Sequence, residues 1–165
     1  RASALGRLSG KIALVEDNAF VREALGSTLE SLGAEVLAYE LPDEDACRKL
    51  ASVENLRLLT DYNLGDDRPT GLDIAGRIEK LRGSRLPAVV LTAVARDLIE
   101  ARFERPEPGE TMPATLPRIL QKPASVEAIV DALNAVSAAS TDSNVSTDAA
   151  ETHEPAASAP TPSRS

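Results

Sequence analysis

The sequence predicts an α/β protein of the doubly wound class, a five-stranded parallel sheet with helices on both faces. Three observations predict it. Short apolar runs alternate with segments whose apolar residues recur at helical spacing. Strands that alternate with helices in this way form a parallel sheet, because each parallel crossover needs a helix and is right-handed. Aromatics make up only 2% of the 165 residues, so Leu, Val, Ile and Ala must fill the core, which suits buried strands under helices.

The elements follow in order. Ile12 to Val15 is a continuous apolar run, as expected for a strand buried on both faces. A helix follows from Phe20, with Val21, Ala24, Leu25, Thr28, Leu29 and Leu32 at helical spacing and Gly33 as its stop signal. Val36 to Tyr39 reads as a second strand and Leu56 to Thr60 as a third. Between them Pro42 to Ala51 is a helix with Ala46, Cys47 and Leu50 on one stripe, which assigns Cys47 to the core as an inert thiol. Gly71 to Leu81 carries Ile74, Ile78 and Leu81 at helical spacing, Ala88 to Leu91 is the fourth strand, and Val94 to Phe103 the fourth helix. Its continuation, Arg105 to Pro117, contains Pro106, Pro108, Pro113 and Pro117 and is expected to be irregular. Arg118 to Gln121 is the fifth strand. A last helix, capped by Ser125, turns Val126, Ile129, Val130, Leu133 and Val136 inward.

Size and charge bound the function. A chain of 17.4 kDa has room for one domain with a genuine core. Residues 1–10 read as the remnant of a linker, 11–138 as the domain, and 139–165, rich in Ala, Ser, Thr, Pro and acids, as a disordered tail. The segment opens on Arg1 and is expected to be cut from something longer. A net charge of -8 with no Lys/Arg cluster repels a phosphate backbone, so no nucleic-acid partner is expected. No apolar run approaches the roughly 20 residues that cross a bilayer, so no membrane contact by this segment is expected. One cysteine makes no internal disulfide, which favours a cytoplasmic setting even if the parent chain is membrane-anchored.

In an open parallel sheet, ligands sit beyond the carboxyl ends of the strands. Glu16 and Asp17 follow the first strand, Asp61 the third, Thr92 ends the fourth, and Lys122 and Pro123 follow the fifth. Two carboxylates about 4 Å apart repel by about 4 kcal/mol at an effective dielectric near 20, so the acids call for a cation. Oxygen ligands with room for a phosphate suit octahedral Mg²⁺; zinc would want the His and Cys ligands that the chain lacks, its single histidine, His153, lying in the tail. Such a cluster suits phosphoryl transfer, in which the protein positions groups and neutralises charge. Asp61 is then the nucleophile, Lys122 balances the incoming charge, and the Thr92 hydroxyl donates to a phosphoryl oxygen.

The segments ALVEDN (Ala13 to Asn18), LLTDYNLG (Leu58 to Gly65), VVLTA (Val89 to Ala93) and LQKPAS (Leu120 to Ser125) resemble those of response regulator receiver domains, over roughly Lys11 to Val136. The resemblance implies a CheY-like, flavodoxin-like sheet of order 2-1-3-4-5, with Asp61 as phosphoacceptor. It implies that Asp17, Asp61 and the backbone carbonyl of Asn63 ligate Mg²⁺, that Glu16 holds a metal-bound water, and that the Lys122–Pro123 peptide is cis. The implied phosphodonor is a histidine kinase or a histidine phosphotransfer protein, and the domain would catalyse its own phosphorylation and dephosphorylation. A homodimer is compatible with it. LSGKIALVEDNAFVREAL, with DYNLG before TGLDIA, is most like the receiver at the C-terminus of a hybrid sensor histidine kinase. Two features depart from the pattern. Ile119 stands where many relatives place an aromatic switch residue, and the Pro-rich stretch from Arg105 to Pro117 is longer than the usual link.

Other readings are open to the same residues. Alone, Asp61 is an ordinary turn residue or helix cap, and Glu16 with Asp17 an ordinary solvated pair; it is the joint placement at successive strand ends that carries the chemistry. A stand-alone response regulator, or a pseudo-receiver that binds partners without phosphorylation, shares the fold, and the pseudo-receiver would bind Mg²⁺ poorly. A hydrolase of the haloacid dehalogenase type would need an acid-base group where Asn63 stands, and a dinucleotide-binding domain would need glycines in EDNAF.

Overall fold

The computed structural model describes residues 6–137. Residues 1–5 of the expected linker and the whole expected tail, with His153, lie outside the described residues. The chain runs β1 (Lys11–Val15), α1 (Ala19–Ser31), β2 (Glu35–Tyr39), α2 (Glu44–Ala51), β3 (Leu56–Asp61), α3 (Gly71–Arg82), β4 (Ala88–Thr92), α4 (Arg96–Glu104) and β5 (Arg118–Gln121). A fifth helix, α5, is described over 126–137. The strands form one parallel sheet in the order β2-β1-β3-β4-β5.

Side-chain alternation along the strands sorts the core into layers. Ile12 and Leu14 of β1 and Leu59 of β3 pack with Leu29 of α1 and Val130 and Leu133 of α5. Ala13, Val15 and Leu58 point the other way, against Cys47 and Leu50 of α2 and Ile74 and Ile78 of α3. Near the β4–β5 side, Leu72, Val90, Ile99 and Ile119 form a third cluster with Tyr62, Val94, Phe103, Met112 and Leu116 around it. Burial outweighs local signals here: truncating a buried leucine costs about 2–5 kcal/mol, against about 1 kcal/mol for a helix cap.

Caps nonetheless fix where the helices begin. Asn18, Asp43, Thr70 and Ser125 each accept a backbone N–H three residues on, at 3.0, 2.8, 3.3 and 3.0 Å. Asp43 is thus the cap of α2, and Pro42, expected inside that helix, stands before it. The fourth helix begins at Arg96 rather than Val94; Val94 lies in the turn before it, its N–H donating to the Thr92 hydroxyl at 2.8 Å. Leu81, spaced as a core residue, is 47% exposed near the end of α3, and Phe20 and Val21 are exposed in the first turn of α1.

The segment entering β1 is docked. Leu8 is buried and its N–H donates to Leu32 O at 2.9 Å. Gly33 meets it with φ 119°, and a Cβ there would overlap the Leu8 carbonyl, so the stop signal after α1 is also a close approach of two backbones.

Candidate functional site

The carboxyl ends of β1, β3, β4 and β5 open into one cleft of about 1120 Å³, lined by Glu16, Asp17, Asp61, Asn63, Thr92 and Lys122 among others. Parallel strands bring this about: in register, Val15 stands beside Thr60 and Asp61 beside Leu91, so the residues that end neighbouring strands meet at one rim. Asp61 ends β3 and is 4% exposed. Glu16 is buried and Asp17 exposed, and carboxylate oxygens of the three acids lie within 4.8 Å of one another. The Lys122 Nζ lies 3.0 Å from Asp61 Oδ1.

Several groups of the cleft are held from behind. The Glu16 carboxylate accepts from Asn18 N–H at 2.9 Å, and Arg22 of α1 donates to the Glu16 carbonyl at 2.7 Å. Thr92 is buried; its hydroxyl oxygen accepts from Val94 N–H, which leaves its own hydrogen free to be donated into the cleft. Lys122 N–H donates to Thr92 O at 2.8 Å, tying the ends of β4 and β5, and the Lys122–Pro123 peptide is cis. The Asn63 side chain accepts from Gly65 N–H at 3.1 Å, tightening the turn after Asp61.

Burial, reinforced by the approach of Asp61, pushes the Glu16 carboxyl up to about 7, while the Asn18 N–H pulls it the other way. Among the described residues, three carboxylates thus share one rim with a single ammonium, that of Lys122. The Lys122–Asp61 contact is one of charge rather than an aligned hydrogen bond, so Asp61 Oδ1 is buried without a hydrogen-bond partner. An orphaned carboxylate oxygen amid two further carboxylates, with no nitrogen or sulfur ligand in the group, fits a hard divalent cation taking oxygen donors.

Two neighbours of the site escaped sequence reasoning. Gly71, at the first position of α3, lies so close to the end of β3 that a Cβ would overlap the Asp61 carbonyl, and its N–H donates to Tyr62 O at 2.8 Å. Its place after Thr70 in TGLDIA marked it only as a helix start. Arg22 carried no signal at all, since helical spacing assigns it to the polar face of α1. Ile119, the expected switch position, sits buried within β5, in register with Val90 and outside the cleft.

No protein-family model matches the sequence, and no curated protein does. Solved structures do match. A response regulator receiver domain protein from Clostridium thermocellum superposes with a TM-score of 0.60 at 21% identity, over 80% of this chain and 97% of its own. The chemotaxis protein CheY4 of Vibrio cholerae matches with a TM-score of 0.57 at 20% identity, over 78% and 99%. This is the receiver fold. The HemR receiver domain from Leptospira biflexa adds a TM-score of 0.55 at 24% identity, over 78% and 94%. Within the receiver fold the strand order expected from the motifs is the one observed, and the cleft lies beyond the carboxyl ends of the strands, as open parallel sheets favour.

Proposed function

We propose that this chain is a phosphoaccepting receiver of two-component signalling, in which Asp61 takes a phosphoryl group from a phosphohistidine on a histidine kinase or histidine phosphotransfer protein. The observation that carries the reading is the meeting of three carboxylates within 4.8 Å with a lysine 3.0 Å from the most buried of them. In the transfer, the bond from the donor imidazole nitrogen to phosphorus breaks and one from an Asp61 carboxylate oxygen to phosphorus forms, the imidazole leaving as the neutral base once protonated. Lys122 balances the added anion and the Thr92 hydroxyl donates to a phosphoryl oxygen. Asp17, Asp61 and the Asn63 carbonyl would hold Mg²⁺, with Glu16 reaching it through a water; bound there, the ion neutralises the acids and the oxygens of the transferring group.

The finer placement, as the C-terminal receiver of a hybrid histidine kinase, rests on the run LSGKIALVEDNAFVREAL and on DYNLG before TGLDIA. The donor in that setting is a histidine of the same parent chain or of a phosphotransfer partner.

Incubation of the protein with acetyl phosphate and Mg²⁺, followed by intact mass, tests the reading. A labile phosphate adduct is expected on the wild type and none on Asp61→Asn. An adduct on both moves the acceptor to another residue.

A further inference from the structure

The Pro-rich segment 105–117 contains no helix or strand, yet it is tied down at three points. Thr111 N–H donates to Asp73 Oδ1 at 2.8 Å, and Asp73 is buried in α3. Ala114 N–H donates to Glu79 Oε1 at 2.7 Å, and Glu79 is again in α3. Arg102 of α4 grips Glu110 through two bonds, 2.9 and 2.8 Å long. Gly76, in mid-helix, makes the approach possible: a Cβ there would overlap the Thr111 carbonyl. Glycine costs a helix interior about 1 kcal/mol relative to alanine, so the position is occupied against local preference, and the crossing backbone supplies the reason.

This segment closes the third core cluster with Met112 and Leu116. Two other side chains packed against that cluster stand within two residues of the cleft's Asp61 and Thr92 in the chain. Tyr62 follows Asp61, and Val94 stands two residues after Thr92, to whose hydroxyl it donates its N–H. A phosphoryl group that draws the ends of β3 and β4 toward itself therefore moves side chains on which the crossing segment rests, and one polar anchor of that segment, the Ala114–Glu79 bond, is exposed, the kind that opens locally.

We propose that residues 105–117 form a strap that locks α4 to α3, and that Tyr62 releases the lock when Asp61 is phosphorylated. The lock itself is independent of the phosphoacceptor reading; the release rests on it. Hydrogen exchange of the full chain, read by NMR at the Thr111 and Ala114 amides, tests both, with acetyl phosphate and Mg²⁺ in excess and intact mass run in parallel. In the wild type these amides should exchange at least about tenfold faster when the adduct is present. Gly76→Ala, a change that favours α3 itself, should exchange fast with or without adduct while its far-UV spectrum stays that of the wild type. Tyr62→Ala should form the adduct without the tenfold change, and Tyr62→Phe should restore it. Slow exchange in Gly76→Ala overturns the lock. An adduct on the wild type with unchanged exchange overturns the release alone, as does a wild-type response in Tyr62→Ala. Absence of adduct on the wild type overturns the phosphoacceptor reading and the release together, while the Gly76→Ala arm still decides the lock.

Discussion

At Lys122 an ammonium sits 3.0 Å from an oxygen of Asp61 whose other neighbours are acids, so it already offsets part of the charge that a dication would offset. The two cations compete for the same carboxylate. Lys122→Ala should therefore tighten Mg²⁺ binding several-fold by calorimetry while slowing formation of the phosphate adduct, because the same change strips the incoming anion of its partner. Looser Mg²⁺ binding would show that the lysine positions the acids rather than competing for them. Single residues also show what a sequence reveals. Asp61, Thr92 and Lys122 were legible because parallel strands put the residues that end them at one rim, whatever lies between. Gly71 and Arg22 were not, because what they touch is backbone, the carbonyls of Asp61 and Glu16, and a backbone acceptor leaves no trace in residue type.

Among the elements, α4 and the segment after it were the least legible. Periodicity found the helix but not its start, since Val94 is apolar and packs against the core from the turn before the helix. Four prolines correctly announced irregular backbone. Nothing in spacing announced that this irregular backbone would be held by Asp73 and Glu79 of α3, which lie 38 and 35 residues away in the chain. The strap also has a predictable response to acid. The Arg102 guanidinium, helped by the Glu107 N–H and against the effect of burial, holds the Glu110 carboxyl below its ordinary value of 4.5. A carboxyl whose value is depressed on folding binds fewer protons in the folded state, so its contribution is complete above 4.5 and is lost as the pH falls through the lower, folded value. Arg102, Glu107 and, through Arg102, Tyr62 are the charged and titratable groups facing it. Acid titration followed by amide exchange at Glu107 should show the strap loosening below pH 4.5 before the sheet does; simultaneous loss would mean that the strap has no separate equilibrium.

Over the whole molecule, the doubly wound class and the strand order were legible because apolar runs and helical stripes alternate without interruption, and the alternation admits few topologies. The docking of the entering segment was less so. It depends on Arg57, a charged residue buried at the start of β3 that reading by periodicity passed over inside an apolar run. Its guanidinium donates to Leu133 O at 3.1 Å and Asn134 Oδ1 at 3.3 Å on α5, and to the Ser9 carbonyl. Asn134 in turn donates to Arg7 O at 3.1 Å. Arg57→Met, which keeps much of the volume but removes the bonds donated to those three acceptors, should cost about 2 kcal/mol in denaturant unfolding. An unchanged midpoint would mean that water replaces the guanidinium at no cost.

The acceptors around Arg57 are carbonyls and an amide oxygen, none of which changes charge, and an arginine keeps its proton throughout the working range. The strap across α3, in contrast, is gripped by Arg102 through the Glu110 carboxylate, which does change charge. Souring the solution below pH 4.5 should thus unfasten one flank of the protein and leave the other buttoned, so that the acidified sample is lopsided: firm where the chain enters the sheet, slack where the fourth helix leaves it.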